Sequence, residues 1–286
     1  MIAFRSPSLA RLAVRAAFVL QLALTPPLFA AGELDCTFDA DGRKVQSLSG
    51  SGSTDQANDV LVLADGSIVT LTSDSDSTPS GDLRFTRFLP SGALDPAFGG
   101  GTGTVLVTVP GVVFGDFAFV PSNVTFERDS LGRFLVVGSI VTGSGDREVF
   151  VGRFTSAGAL DTTFGGGNGW TRVDWTPATH GRPTAWDSGI AIAVDASDRP
   201  VVGGSVDPNG PVFNPSNSNF GIARLTTAGA LDATFGTGGI TIVSSPGTTS
   251  DDTLRDLALD PSGRIVAVGD ADPNLTNARD ALIVRL

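Results

Sequence analysis

Apolar and polar positions alternate in short runs along the chain, and turn residues separate the runs. Ile190-Ala191-Ile192-Ala193-Val194 shows the period-two pattern most clearly, which is the signature of a half-buried strand. Val60–Leu63, Val124–Glu127 and Leu254–Leu259 occupy the same place relative to the turn that follows. That turn reads Asp129-Ser130-Leu131-Gly132-Arg133 or Asp260-Pro261-Ser262-Gly263-Arg264, with Asp195 to Arg199 and Asp65-Gly66-Ser67 as its other copies. Its pivots, Gly66, Gly132, Asp198 and Gly263, are 66, 66 and 65 residues apart. Gly or Asp at that place predicts a positive φ in a tight hairpin. An apolar strand follows each turn, and another ends in Arg87, Arg153, Arg224 or Arg285. A further strand comes later, as in Thr104–Val109 and Ile240–Val243. No amphipathic helix is visible after residue 31.

Between the last two strands stands a motif that occurs four times. Its copies are Gly92 to Gly99, Gly158 to Gly165, Gly229 to Gly236 and a worn one from Gly32 to Asp39. Their leucines, Leu34, Leu94, Leu160 and Leu231, are 60, 66 and 71 residues apart. A repeat of that length in fixed order points to a propeller or a solenoid. Four short strands per repeat predict an all-β chain, a β-propeller of four four-stranded blades. The repeats run about 32–91, 92–157, 158–228 and 229–286, within one domain spanning 32–286. The copy at Gly32 to Phe38 complements the fourth repeat, which predicts a closed ring, with an open arc completed by a partner chain as the alternative. Leu34, Leu94, Leu160 and Leu231, with Phe38, Phe98, Phe164 and Phe235, read as plugs between blades. Asp95, Asp161 and Asp232 each lie eight residues after Arg87, Arg153 and Arg224. A guanidinium suits bidentate carboxylate binding, so each pair is expected to lock its repeat. Arg285 is expected to meet Asp35 and close the ring. The other reading is that each Asp caps its own turn.

Taken together, the strand-end Arg-Phe/Leu, the Gly-Ala-Leu-Asp-x-x-Phe-Gly motif and the Asp-x-x-Gly-Arg-Ile-Val turn resemble the delta-60 repeat family of bacterial exported proteins. The resemblance covers essentially all of 32–286. It implies a β-propeller and no common activity, and it carries over no catalytic residues. Asp39 in place of the motif glycine and Pro200 after the third turn depart from the pattern.

Composition narrows the function. The net charge is −11, with 30 acidic residues against 19 basic ones, which speaks against nucleic acid or an anionic membrane as partner. Arg5, Arg11 and Arg15 precede an apolar run from Ala16 to Leu24, followed by Ala30 and Ala31. This layout predicts a secretory signal peptide over 1–31, and hence a periplasmic, extracellular or cell-surface protein. The apolar run is short for a membrane span, and no later segment resembles one. Cys36 is the only cysteine, so no internal disulfide is available.

Two stretches carry candidate chemistry. Trp170, Trp175, His180, Arg182 and Trp186 gather all tryptophans and the single histidine of the chain, as a sugar- or peptide-binding rim would. The plainer reading is a long loop covering a blade edge. Asp270, Asp272 and Asn274 alternate as calcium ligands do, without the glycine and the twelfth-position acid of a full loop. Weak calcium binding is the extent of the metal expectation, and no cofactor is expected. No nucleophile elbow or phosphate loop appears. The sequence therefore predicts an exported, non-enzymatic propeller that binds a polysaccharide, peptide or protein. A hydrolase or lyase with channel-lining carboxylates and a purely structural surface protein are the alternatives.

Overall fold

The computed structural model describes residues 32–48, 55–74, 83–107, 109, 113–114, 124–141, 147–175, 187–206, 218–246, 251–273 and 278–286. The signal-peptide reading of 1–31 lies outside them. Strands build four antiparallel sheets in chain order. The first holds β1 (Asp55–Val62), β2 (Ile68–Asp74), β3 (Leu83–Phe88) and β4 (Thr104–Val107), each paired with the next. In the second, β7 (Phe134–Val141), β8 (Arg147–Phe154) and β9 (Trp170–Val173) follow one another. Both β5 (Val113–Phe114) and β6 (Thr125–Arg128) pair with β7 on its other side. The third runs β10 (Ser188–Val194), β11 (Pro200–Val206), β12 (Asn219–Arg224), β13 (Ile240–Val243). The fourth has three strands, β14 (Asp251–Leu259), β15 (Ile265–Asp272) and β16 (Asp280–Arg285).

The all-β, propeller-like architecture is thus present, with strand numbers of four, five, four and three in place of four throughout. The described residues form no closed ring. The Asp35 carboxylate accepts the N–H and hydroxyl of its own Thr37 at 2.9 and 2.6 Å, and no ion pair joins it to Arg285 among the described residues. The worn motif copy sits on the first sheet instead, where Asp39 N donates to Ser91 O at 2.8 Å.

Hairpin chemistry explains the regularity. The pivots Gly66, Gly132 and Gly263 have φ of 80°, 81° and 77°, and Asp198 shares their conformation at 58°. Asp is tolerated there because its short side chain makes local hydrogen bonds. Asp198 uses its own to reach back one sheet, accepting Ser130 N and Oγ at 2.9 and 2.6 Å. Pro200 does not interrupt its repeat. It opens β11, a strand position that requires no donor, and its carbonyl accepts Leu225 N at 2.8 Å. In β1, β10 and β14 the register slips at Asn58, Ile190 and Arg255. Each lies eight residues before its pivot, so the same β-bulge recurs and twists these three edge strands alike.

The core lies between consecutive sheets. Phe85 packs with Phe126, Phe134 and Phe154 at ring-centroid distances of 5.6, 5.2 and 5.4 Å, joining the first sheet to the second. Val137, Val149, Val202 and Ala223 continue the core between the second and third sheets, and Phe220, Ile222, Leu254 and Leu257 between the third and fourth. Motif phenylalanines Phe98 and Phe164 are 1% and 0% exposed. The next copy's glycine covers each one: a Cβ at Gly158 would stand 3.1 Å from Phe98, and at Gly229 2.9 Å from Phe164. Phe235 is only half-buried.

Candidate functional site

Three of the four motif copies assemble a carboxylate–guanidinium set. The strand-end arginine meets the Asp eight residues on: Arg87 Nε to Asp95 Oδ2 at 3.0 Å, and Arg153 and Arg224 Nε to Asp161 and Asp232 Oδ2 at 2.8 Å each. The same carboxylates cap their turns, through Oδ1, with Ala97, Thr163 and Thr234 N–H at 2.8, 3.0 and 3.0 Å. Locking and capping are therefore both performed, one oxygen each. The arginine does not bind bidentately, because its outer nitrogens turn to other partners. In Arg153 these are Thr163 Oγ1 at 2.9 Å and Thr227 O of the next repeat at 2.5 Å. Burial lowers the Arg153 pKa, opposed by Asp161. Burial also acts to raise Asp161, but Thr163 and Arg153 outweigh it and leave its carboxyl below the ordinary value.

A second arginine completes the set in the later repeats. Arg133, Arg199 and Arg264, one residue after the pivot, hold Asp129, Asp195 and Asp260 at 2.6, 2.7 and 2.6 Å. Arg199 reaches on to Asp232 at 3.1 Å, and Arg133 stands 3.7 Å from Asp161.

The first repeat lacks that second arginine. Ser67 stands where Arg133, Arg199 and Arg264 stand, and Leu63 where their aspartates stand. Arg87 turns part of its fork to Asp65, 2.9 Å away. Hydrogen bonds from Ser67, with Arg87, hold the Asp65 carboxyl below its ordinary range. Arg87 Nε is at ion-pair distance from Asp95 without hydrogen-bond geometry. The first repeat has no counterpart of the Arg153–Thr227 bond among the described residues.

Beside it lies a cavity of about 220 Å³ between the first two sheets, lined by Leu63, Asp65, Arg87, Arg128, Phe134 and Ser156 among others. Arg128 is the second departure here, since Val62, Val194 and Leu259 hold its place in the other repeats. Its guanidinium lies against the bare Cα of Gly132, where a Cβ would stand 2.6 Å from Nη2. No carboxylate pairs with Arg128 among the described residues. Sequence reasoning passed over this site, although aligning the repeats on their pivots exposes both Ser67 and Arg128 as exceptions.

The candidate residues of the sequence lie elsewhere. Trp175 is 2% exposed in the core between the second and third sheets, and its Nε1 is buried without a partner among the described residues. Half-buried Trp170 stacks on Phe150 at 5.8 Å. His180, Arg182 and Trp186 fall outside the described residues, as does Asn274. Asp270 is held by Arg255 at 2.6 Å, while Asp272 is buried two residues along β15. Among the described residues, no three His, Cys, Asp or Glu side chains come together as a metal site. No described helix is long and apolar enough to cross a membrane.

Residues 63–98 and 201–235 match the model of a domain of unknown function, DUF5122, described as a beta-propeller. Both segments run from a hairpin turn or its following strand through to the motif, the same part of two repeats. No curated protein matches the chain. Several solved structures resemble it at low identity, three of them as follows. One is a protein of unknown function from Dyadobacter fermentans DSM 18053, with 12% identity and a TM-score of 0.44, covering 80% of this chain and 65% of that one. Another is a GH43_12 from a capybara gut metagenome, at 9% and 0.38, covering 80% and 38%. The third is an endo-arabinase from Bacteroides thetaiotaomicron VPI-5482, at 9% and 0.40, covering 81% and 75%. The chain thus spans less than two thirds of the first two.

Proposed function

We propose that the chain is an exported, non-enzymatic binding module, a propeller whose blades serve as scaffold and whose recess between the first and second sheets receives part of a polysaccharide, peptide or protein partner. One observation carries this reading. The repeats depart from their pattern at one place, with Leu63 and Ser67 where the others hold a clamp pair and with Arg128 lacking a carboxylate partner among the described residues, and both Leu63 and Arg128 line the same cavity. Departures serving only the fold would be expected to preserve the ion-pair set that the later repeats keep. The reading invokes no cofactor. In it, residues 1–31 direct export, and the four repeats close into a ring.

The test is retention of the full-length exported protein on arrays of glycans and peptides. A variant with Leu63→Asp and Ser67→Arg restores the clamp of the other repeats and fills the cavity. Retention of one ligand class that falls at least ten-fold in this variant is the expected result. Retention that is absent, or unchanged by filling the cavity, would overturn it.

A further inference from the structure

The ligand class can be read from the recess itself, an inference that rests on the binding reading above. We infer that it takes the carboxylate of an acidic peptide side chain, held by the Arg128 guanidinium in the cavity that Ser156 also lines.

Charge accounting comes first. In a chain with 30 acidic residues against 19 basic ones, six strand-end and hairpin arginines of the repeats face carboxylates: Arg87, Arg133, Arg153, Arg199, Arg224 and Arg264. Among the described residues Arg128 faces none, and the adjacent Glu127 turns a carboxylate oxygen to the N–H of residue 128 instead. A guanidinium presents N–H donors in a planar fork that matches a carboxylate. Arg128 is also positioned. Gly132, at a φ of 81° and without a side chain, provides the flat surface on which the guanidinium lies.

Size and wall chemistry decide between sources of the carboxylate. The cavity, about 220 Å³, is smaller than the roughly 300–1,000 Å³ of sites for drug-sized ligands, so it admits one side-chain-sized group. Phe134 is 1% exposed and offers no ring face on which a sugar could stack. Leu63 and Ala64 supply aliphatic walls instead, fitted to the methylenes of a glutamate. A net charge of −11 repels a polyanionic chain such as a polyuronate, while an isolated carboxylate in an otherwise neutral or basic peptide escapes that repulsion.

The experiment titrates the full-length exported protein with acetyl-Ala-Glu-Ala-amide, acetyl-Ala-Gln-Ala-amide and trigalacturonate, followed by NMR. The Glu peptide is expected to bind roughly ten-fold or more tightly than the Gln peptide, the worth of one charge-assisted hydrogen bond. Arg128→Val, which installs the residue type of the other repeats, is expected to erase that preference, and Arg128→Lys to keep part of it. Unchanged thermal melting of both variants shows that the fold is intact. Equal binding of the Glu and Gln peptides, or an unaltered preference in Arg128→Val, overturns the carboxylate inference while array retention still supports the binding reading. Tighter binding of trigalacturonate than of the Glu peptide overturns the peptide class. If neither carboxylate probe binds, the inference fails whether or not the array retains another ligand.

Discussion

Asp232 does two jobs on two oxygens. Oδ1 accepts the N–H and hydroxyl of Thr234 at 3.0 and 2.6 Å, and Oδ2 faces Arg224 and Arg199. The Thr234 hydroxyl and N–H, with Arg224, outweigh burial and lower its pKa from 3.8 to about 2. A folded-state value below the unfolded one means that stability from this group is fully present above the ordinary value. It is lost as pH falls through about 4 towards 2. Asp232→Asn is therefore expected to lower the urea midpoint at pH 7, and the gap to the parent protein should narrow at pH 2.5. Urea titrations at both pH values check this, and a gap that stays constant would overturn it. The eight-residue spacing was enough to bring arginine and aspartate together from the sequence. The threonine two residues further on was not read, because a hydroxyl there varies: the copy at Asp95 has Ala97. Arg128 was hidden for a different reason. An arginine next to a turn is ordinary in isolation, and only alignment of the repeats on their pivots sets it beside the lost clamp of Leu63 and Ser67.

At the scale of elements, the period-two runs and the turn pivots placed the hairpins well, since a positive φ restricts the residue and each half-buried strand declares its faces. Asp198 was legible on this basis, and its φ of 58° agrees with the reading. The bulges were not, because an extra residue in a strand leaves no mark in composition. Nor was the burial of Trp175. Tryptophans near a lone histidine suggest a rim, yet Trp175 lies across β12, where a Cβ on Gly221 would come within 2.6 Å of its indole. Gly221 thus makes the room that lets the segment after β9 seat its ring in the core. Gly221→Ala is expected to destabilise the protein by about 1–3 kcal/mol through overpacking. Urea unfolding read by tryptophan fluorescence checks this, and a loss under about 0.5 kcal/mol would show that the ring has other room.

At the scale of the molecule, the sheets follow one another in a row, and the matter to settle is whether the row closes. The fourth sheet has three strands, and β16 leaves Ile283 69% exposed. The worn copy offers the complement. A Cβ on Gly42 would stand 2.7 Å from Leu34 Cβ, as one on Gly103 would stand 2.8 Å from Leu94 Cβ, so its turn is folded like the others. Strands β4, β9 and β13 begin right after the corresponding glycines. The equivalent residues Arg43 to Gln46 form no strand, and Val45 is 95% exposed. The repeat also supplies the register. Val105 pairs with Phe85, and the equivalent positions are Lys44 and Ile283. Arg87, Arg153 and Arg224 donate their N–H to the carbonyls of Gly103, Gly169 and Gly239, which predicts Arg285 donating to Gly42. Opposed residues of an antiparallel pair bring their Cβ atoms to about 4.5–5.5 Å, near enough for a disulfide after small adjustment. In a Cys36→Ser background, Lys44→Cys with Ile283→Cys is expected to oxidise within one molecule, giving a monomer that migrates faster without reductant. Disulfide-linked dimers would instead mean that a second copy supplies the strand. Two thiols that remain reduced would mean that the row stays open, and the Arg285–Asp35 lock would fall with the ring.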